Sequence, residues 1–207
     1  MTRARKLILA SVSPRRSLLL REAGFAHETL VPPLDDAALD PGDAPPRRWV
    51  AALAYLKAAS ALRTMPRERA ADAVLLGADT LVVKDGEMIG KPANADDARR
   101  ILRRLSAGSH EVLTGAALVA LDGEREILVD ATRVRVGAIP EGVLEEYVAS
   151  GQWEGKAGAY NLAERLEAGW PIEFEGDPGT IMGLPMRRLT PRLDRWLAGN
   201  PCAGHAS

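Results

Sequence analysis

A single cysteine, Cys202, leaves this 207-residue chain with no intramolecular disulfide and no cysteine metal site. Its three histidines, His27, His110 and His205, stand far apart and out of ligand spacing, so neither a histidine metal centre nor a histidine-based triad is expected. Aromatic residues make up only 4%, too few for a base-stacking surface, and 27 basic residues are balanced by 28 acidic ones. Broad electrostatic attraction to nucleic acid or to an anionic membrane is thereby disfavoured. No apolar stretch is long enough to span a bilayer, and the first one, Lys6 to Ala10, is shorter than a signal-peptide core. A cytoplasmic setting is the expectation. Neither an internal repeat nor a low-complexity tract is present. The hydrophobic content of 46% and charged content of 27% suit one large α/β domain, or two small lobes sharing a core.

The pattern along the chain mixes two periods. Lys6-Leu7-Ile8-Leu9-Ala10 reads as one buried strand. Ser13 as N-cap, Pro14 at the first helical position and Gly24 as stop then frame a helix. A proline-rich loop, Pro32 to Pro46, carries Asp35, Asp36, Asp40 and Asp43. From about Arg47 to Leu62 a helix presents Val50, Leu53, Ala54 and Ala61 on one face. Ala73 to Val83 is a long apolar run, broken by Gly77-Ala78-Asp79-Thr80, and Lys84-Asp85-Gly86-Glu87 forms a tight hairpin into Met88-Ile89. Asn94 caps a helix whose buried face is Ala98, Ile101, Leu102 and Leu105. Two long strands follow, Ser109 to Leu121 and Ile127 to Val136, the second alternating Arg133/Arg135 with Val134/Val136. A short helix, Glu141 to Ser150, comes next, then a Gly-rich segment, a last helix from about Pro191 to Leu197, and a frayed end. Strand–helix units combined with a hairpin predict an α/β fold, a mixed sheet flanked by helices.

Three placements go against ordinary stability. Arg15 and Arg16 fall in the first turn of a helix, where free N–H groups and the helix dipole already favour an anion. Lys57 lies on an apolar helix face, four residues after Leu53, where it must snorkel, pair or meet an anion. Asp79 interrupts an apolar strand-like run; there, desolvation would raise its pKa and suit it to accept a proton, or a cation would keep it ionised. With Lys91 in Gly90-Lys91-Pro92, four cations accompany Asp35, Asp36 and Asp79. A phosphoanhydride site needs that inventory: cations for the oxygens, carboxylates for a metal and a base. A Walker-type loop is missing, which disfavours a P-loop nucleotidase.

Leu9-Ala10-Ser11-Val12-Ser13-Pro14-Arg15-Arg16, Gly77-Ala78-Asp79-Thr80, Gly90-Lys91-Pro92 and Gly155-Lys156-Ala157-Gly158-Ala159-Tyr160 carry a resemblance, together with His110 to Gly115 and Met182-Gly183-Leu184-Pro185. In order and spacing, from about residue 5 to residue 198, the chain resembles the Maf family of nucleoside triphosphate pyrophosphatases. The resemblance implies a mixed α/β fold with a central cleft, related to inosine triphosphate pyrophosphatases, with two lobes within residues 1–198 and a flexible tail over 199–207. It implies a homodimer, a divalent cation (Mg2+ or Mn2+), and hydrolysis between the α- and β-phosphates to give a nucleoside monophosphate and pyrophosphate. By position it makes Asp79 the proton acceptor and, with Asp36, a metal ligand. Ser11, Arg15, Arg16, Lys57 and Lys91 are assigned to the phosphates, while Arg15, Thr80 and the segment after Tyr160 face the base.

The chain departs from the family pattern in two places. Asp36 replaces the usual Glu of the early loop and is one methylene shorter. In Asn161-Leu162-Ala163-Glu164, Ala163 stands at the glutamine position of the thymidine/uridine branch, and Glu164, one place on, could accept from a base N–H in its stead. Arg15 resembles the dTTP/UTP branch, whereas Gly176-Asp177-Pro178 resembles the 7-methyl-GTP branch. Both base classes are therefore carried forward. So is a second reading, a catalytically weak nucleotide-binding regulator, for example of cell division.

Overall fold

The computed structural model describes residues 5–199. In chain order its elements are β1 (Lys6–Ala10), α1 (Pro14–Glu22), β2 (His27–Leu30), a 3-10 turn (Asp36–Ala38), α2 (Pro46–Thr64), α3 (Arg67–Ala70), β3 (Ala73–Lys84), β4 (Glu87–Ile89) and α4 (Ala95–Leu105). The second half runs β5 (Gly108–Ala120), β6 (Arg125–Val136), α5 (Glu141–Ala149), a 3-10 turn (Ala157–Ala159), α6 (Leu162–Glu167), β7 (Ile172–Glu175), α7 (Pro178–Met182) and α8 (Met186–Leu197). The strands form one mixed sheet in the order β2-β1-β3-β5-β6-β7, with β4 paired to β3. Only the β2-β1-β3 portion is parallel.

That parallel portion creates the functional geometry. The chain leaves β1 towards β2 on one side and returns as β3 on the other, so the end of β1 is a topological switch point, the usual place for a ligand crevice. Pairing of β1 with β3 stops at Ala10↔Gly77, while β3 continues beside β5. Asp79 and Thr80 therefore project beyond the end of β1. Alternation sends Leu7 and Leu9 into a core with Leu189, Leu193 and Trp196 of α8, and Ile8 and Ala10 into one with Ala58 and Ala61 of α2. A third cluster joins α4 and α5 to the far ends of β5 and β6 through Leu102, Leu105, Val112, Val134 and Leu144.

Helix α2 rests directly on backbone at two glycines. A Cβ added to Gly77 would lie 2.2 Å from the Ala54 carbonyl oxygen, and one on Gly115 would lie 2.5 Å from that of Val50. This close approach brings the Lys57 side chain down to the sheet.

Several expectations need correction. The Ala73 to Val83 run is not broken at Gly77-Ala78-Asp79-Thr80; β3 passes through it without interruption, because Gly77 gives room to α2 and Asp79 finds a cation. Ser13 occupies the N-cap of α1 but makes no side-chain cap; its N–H donates instead to Ser11 Oγ at 3.1 Å. Pro191 lies inside α8 rather than at its start. Pro191 has no N–H to give, so the Arg187 carbonyl loses its usual helical donor, and both residues lie on an exposed part of the helix. Strands β2 and β7 and helices α6 and α7 were not anticipated, being only four to six residues long. Most of the expected tail, 200–207, lies outside the described residues. Among the described residues no helix is long and apolar enough to cross a membrane.

Two predictions follow from this packing. Gly77→Ala forces α2 off the sheet, at an overpacking cost of about 1–3 kcal/mol, or roughly 2–4 °C of Tm per kcal/mol at this chain length. Gly142→Ala in α5, where nothing lies within 4 Å of the added methyl, leaves Tm unchanged or slightly raised. Equal melting of both variants would contradict the close approach.

The second prediction concerns His110, which is buried with Nε2 2.9 Å from the Tyr160 hydroxyl and Nδ1 without a partner among the described residues. Burial, helped by the Lys84 charge, lowers its pKa from 6.5 to about 4. Between these values the unfolded chain takes up a proton that the folded one refuses. Stability is thus full above pH 6.5 and declines as pH falls towards 4. Thermal melts at pH 7 and pH 5 should show a smaller drop for His110→Gln than for wild type; an identical drop would remove His110 as the cause.

Candidate functional site

Side chains from four chain segments meet beyond the end of β1. Ser11 follows β1 directly and is buried. Its Oγ accepts from the Ser13 N–H at 3.1 Å and from Arg16 Nη1 at 3.2 Å. Arg16, one turn into α1, spends its other donors on two distant segments. Nε donates to the Gly183 carbonyl at 3.0 Å and Nη2 to Thr80 Oγ1 at 3.3 Å. Gly183 follows α7 with φ +110°, and a Cβ there would press on Arg16 Nε at 3.0 Å, so glycine is needed both for the turn and for the contact. Burial lowers the Arg16 pKa, Asp79 opposes that, Arg15 adds to it and Asp36 again opposes. The guanidinium nonetheless stays protonated at any ordinary pH.

On the other face of β3, Lys57 Nζ lies between two carboxylates, 2.5 Å from Asp79 Oδ1 and 2.7 Å from Asp36 Oδ2. The Lys57 and Asp79 side chains are each only 12% exposed, whereas Asp36 is 39% exposed. Burial pushes the Asp36 carboxyl up, but the Lys57 ammonium, with help from Lys91, outweighs this and holds it below the usual carboxylate range. Lys57 neither snorkels to water nor lies idle in the core: it is the counter-ion of a carboxylate pair. Asp36 and Asp79 are the two hard-oxygen donors here that could hold a divalent cation, and among the described residues no group of three or more His, Cys, Asp or Glu side chains gathers to do so.

The structure thus brings together Ser11, Arg16, Thr80, Lys57, Asp36 and Asp79. Arg15 and Lys91 are exposed at the rim, their charges reaching Arg16 and Asp36 respectively. Glu164 is placed differently. Its Oε2 is 2.5 Å from Lys156 Nζ, and its Oε1 accepts from Asn161 Nδ2 at 2.9 Å. Both oxygens are therefore engaged within the Gly155–Glu164 segment. That segment still touches the Lys91 strand end, since the Gly158 N–H donates to the Gly90 carbonyl at 3.1 Å. Lys156 was not singled out from sequence, although a lysine inside a Gly-rich run was the available signal. Thr114 and Thr180 were also missed. Thr114 Oγ1 is 2.8 Å from Thr80 Oγ1 and donates to the Thr180 carbonyl at 2.6 Å.

Comparison with known proteins gives the family. The model of the Maf-like protein family matches residues 6–196. A dTTP/UTP pyrophosphatase of Symbiobacterium thermophilum is 39% identical over 192 residues, covering 92% of this chain and 94% of the relative. A nucleoside triphosphate pyrophosphatase of Mycobacterium sp. (strain JLS) is 37% identical over 200 residues, covering 91% and 94%. Among solved structures, a nucleoside-triphosphatase (dITP/XTP pyrophosphatase) of Mycobacterium abscessus aligns with a TM-score of 0.42 and 17% identity, over 65% of this chain and 76% of that one. With the family model matched almost end to end and relatives of nearly 40% identity covered over their length, the chain belongs to the Maf-like proteins.

Proposed function

We propose that the protein hydrolyses the α–β phosphoanhydride of nucleoside triphosphates, releasing a nucleoside monophosphate and pyrophosphate. One observation carries this reading: Asp36, Lys57 and Asp79 meet at a single point, with Arg16 beside them. Two carboxylates face four cations in and around the crevice, a surplus of positive charge that suits a polyphosphate.

The residues divide the work by position. Asp79 takes the proton from the attacking water, whose oxygen bonds to the α-phosphorus. The bond from that phosphorus to the bridging oxygen breaks, and its electron pair leaves with pyrophosphate. Lys57, Lys91, Arg15 and Arg16 hold the phosphate oxygens and neutralise charge on the leaving group, the main demand of phosphoryl chemistry. Asp36 and Asp79 would hold a divalent cation, Mg2+ or Mn2+, which when bound supplies further neutralisation of those oxygens. Lys57 can turn from the carboxylates to the phosphates because its flexible stem ends in a point charge with three donors. The names of the relatives favour dTTP and UTP as substrates.

The test is to incubate purified protein with Mg2+ or Mn2+ and dTTP, UTP, GTP or 7-methyl-GTP. Pyrophosphate from dTTP or UTP is the expected first product. Orthophosphate would mean another reaction, and binding without turnover would favour the nucleotide-binding regulator. Asp79→Asn should remain folded by circular dichroism and lower turnover by about 10²–10⁴-fold, the scale of a lost general base. Near wild-type turnover would remove Asp79 from the mechanism.

A further inference from the structure

We propose that Thr114 is a positioning residue for Arg16, acting through Thr80. Each hydroxyl in this chain has one proton to give. Thr114 is fully buried, and its Oγ1 lies 2.6 Å from the Thr180 carbonyl oxygen. A carbonyl only accepts, so the single Thr114 proton is committed there. The 2.8 Å contact between Thr114 and Thr80 must then carry the Thr80 proton. Thr80 is left with lone pairs alone, and one of them receives Arg16 Nη2 at 3.3 Å. The chain has one direction: Arg16 donates to Thr80, Thr80 to Thr114, and Thr114 to the backbone of α7.

The anchor at the far end is rigid. Thr180 is fully buried, its N–H donates to the Asp177 carbonyl at 3.0 Å, and its Oγ1 donates to Asp130 at 2.7 Å. Thr80, Thr114 and Asp130 occupy one cross-strand line of the sheet, Thr80↔Thr114 and Thr114↔Asp130. The Gly183 carbonyl, the second acceptor for Arg16, lies just beyond the same helix. Both routes thus tie the guanidinium to α7. One consequence bears on substrate choice: with its proton committed, Thr80 offers a nucleotide an acceptor and no donor.

The proposal rests on Arg16 as a phosphate-binding group, so the experiment separates the two ideas. Steady-state kinetics with dTTP would be measured for wild type, Thr114→Val, Thr114→Ser, Arg16→Lys and the Arg16→Lys/Thr114→Val double variant. Thr114→Val should raise KM about tenfold or more with a smaller change in kcat, as expected for a misaligned charged donor. Thr114→Ser, which keeps the hydroxyl, should restore KM to within about threefold. On the Arg16→Lys background Thr114→Val should add little, because residues of one network are not additive. Unchanged KM in Thr114→Val, or full additivity with Arg16→Lys, would overturn the proposal. Should Thr114→Val not fold, Thr114→Ala removes the same hydroxyl with less bulk and carries the same expectation. A wild type without turnover would instead overturn the hydrolase reading. The same comparisons would then be made on calorimetric binding of inorganic triphosphate, and Thr114→Val binding as tightly as wild type would overturn the proposal there too.

Discussion

The Lys57 ammonium between Asp36 and Asp79 is the contact around which the site is organised. A carboxylate in the middle of an apolar strand and a lysine on an apolar helix face each carry a desolvation cost of several kcal/mol when alone. Here each meets the cost of the other. The Asp36 carboxylate, on a separate loop, closes the arrangement from the solvent side. Removing Lys57 would leave the Asp79 carboxylate buried without its counter-ion, whereas removing either aspartate leaves Lys57 the other.

That contact depends on topology and on two missing side chains. Lys57 can reach Asp79 only because α2 lies on the bare backbone of Gly77 and Gly115. The end of β1 is open only because the chain switches sides there, which lets β3 run on past it. On the opposite face of β3, Thr80 and Arg16 mirror the pairing of Asp79 and Lys57. One strand thus delivers a carboxylate to one side and a hydroxyl to the other, from adjacent residues.

Much of this was legible in the residues themselves. The 3.6-residue stripe of α2 with a lysine in it, the aspartate inside an apolar run, and two arginines at a helix start all broke local rules, and all sit at the crevice. What was illegible has a common cause. Thr114 looks like any β-former in a long strand; its role depends on Thr80 and Thr180, 34 and 66 residues away. The pairing of Glu164 with Lys156 crosses a 3-10 turn and a helix cap, and no periodicity announces it. Strands β2 and β7 are four residues each, mostly exposed at the sheet edges, so they carry no alternation strong enough to see. The run of β3 through Gly77-Ala78-Asp79-Thr80 was misread as a break because a glycine and a charge in a strand ordinarily mean one; only the helix above it explains both.

The most direct measurement is a crystal structure of the protein with Mn2+ and a non-hydrolysable α,β-methylene analogue of dTTP, with data collected at the manganese edge. The account predicts phosphate density against Lys57, Lys91 and Arg16, and an anomalous peak within coordination distance of Asp36 and Asp79. A triphosphate bound away from the end of β1, with Lys57 still locked between the two aspartates, would contradict it.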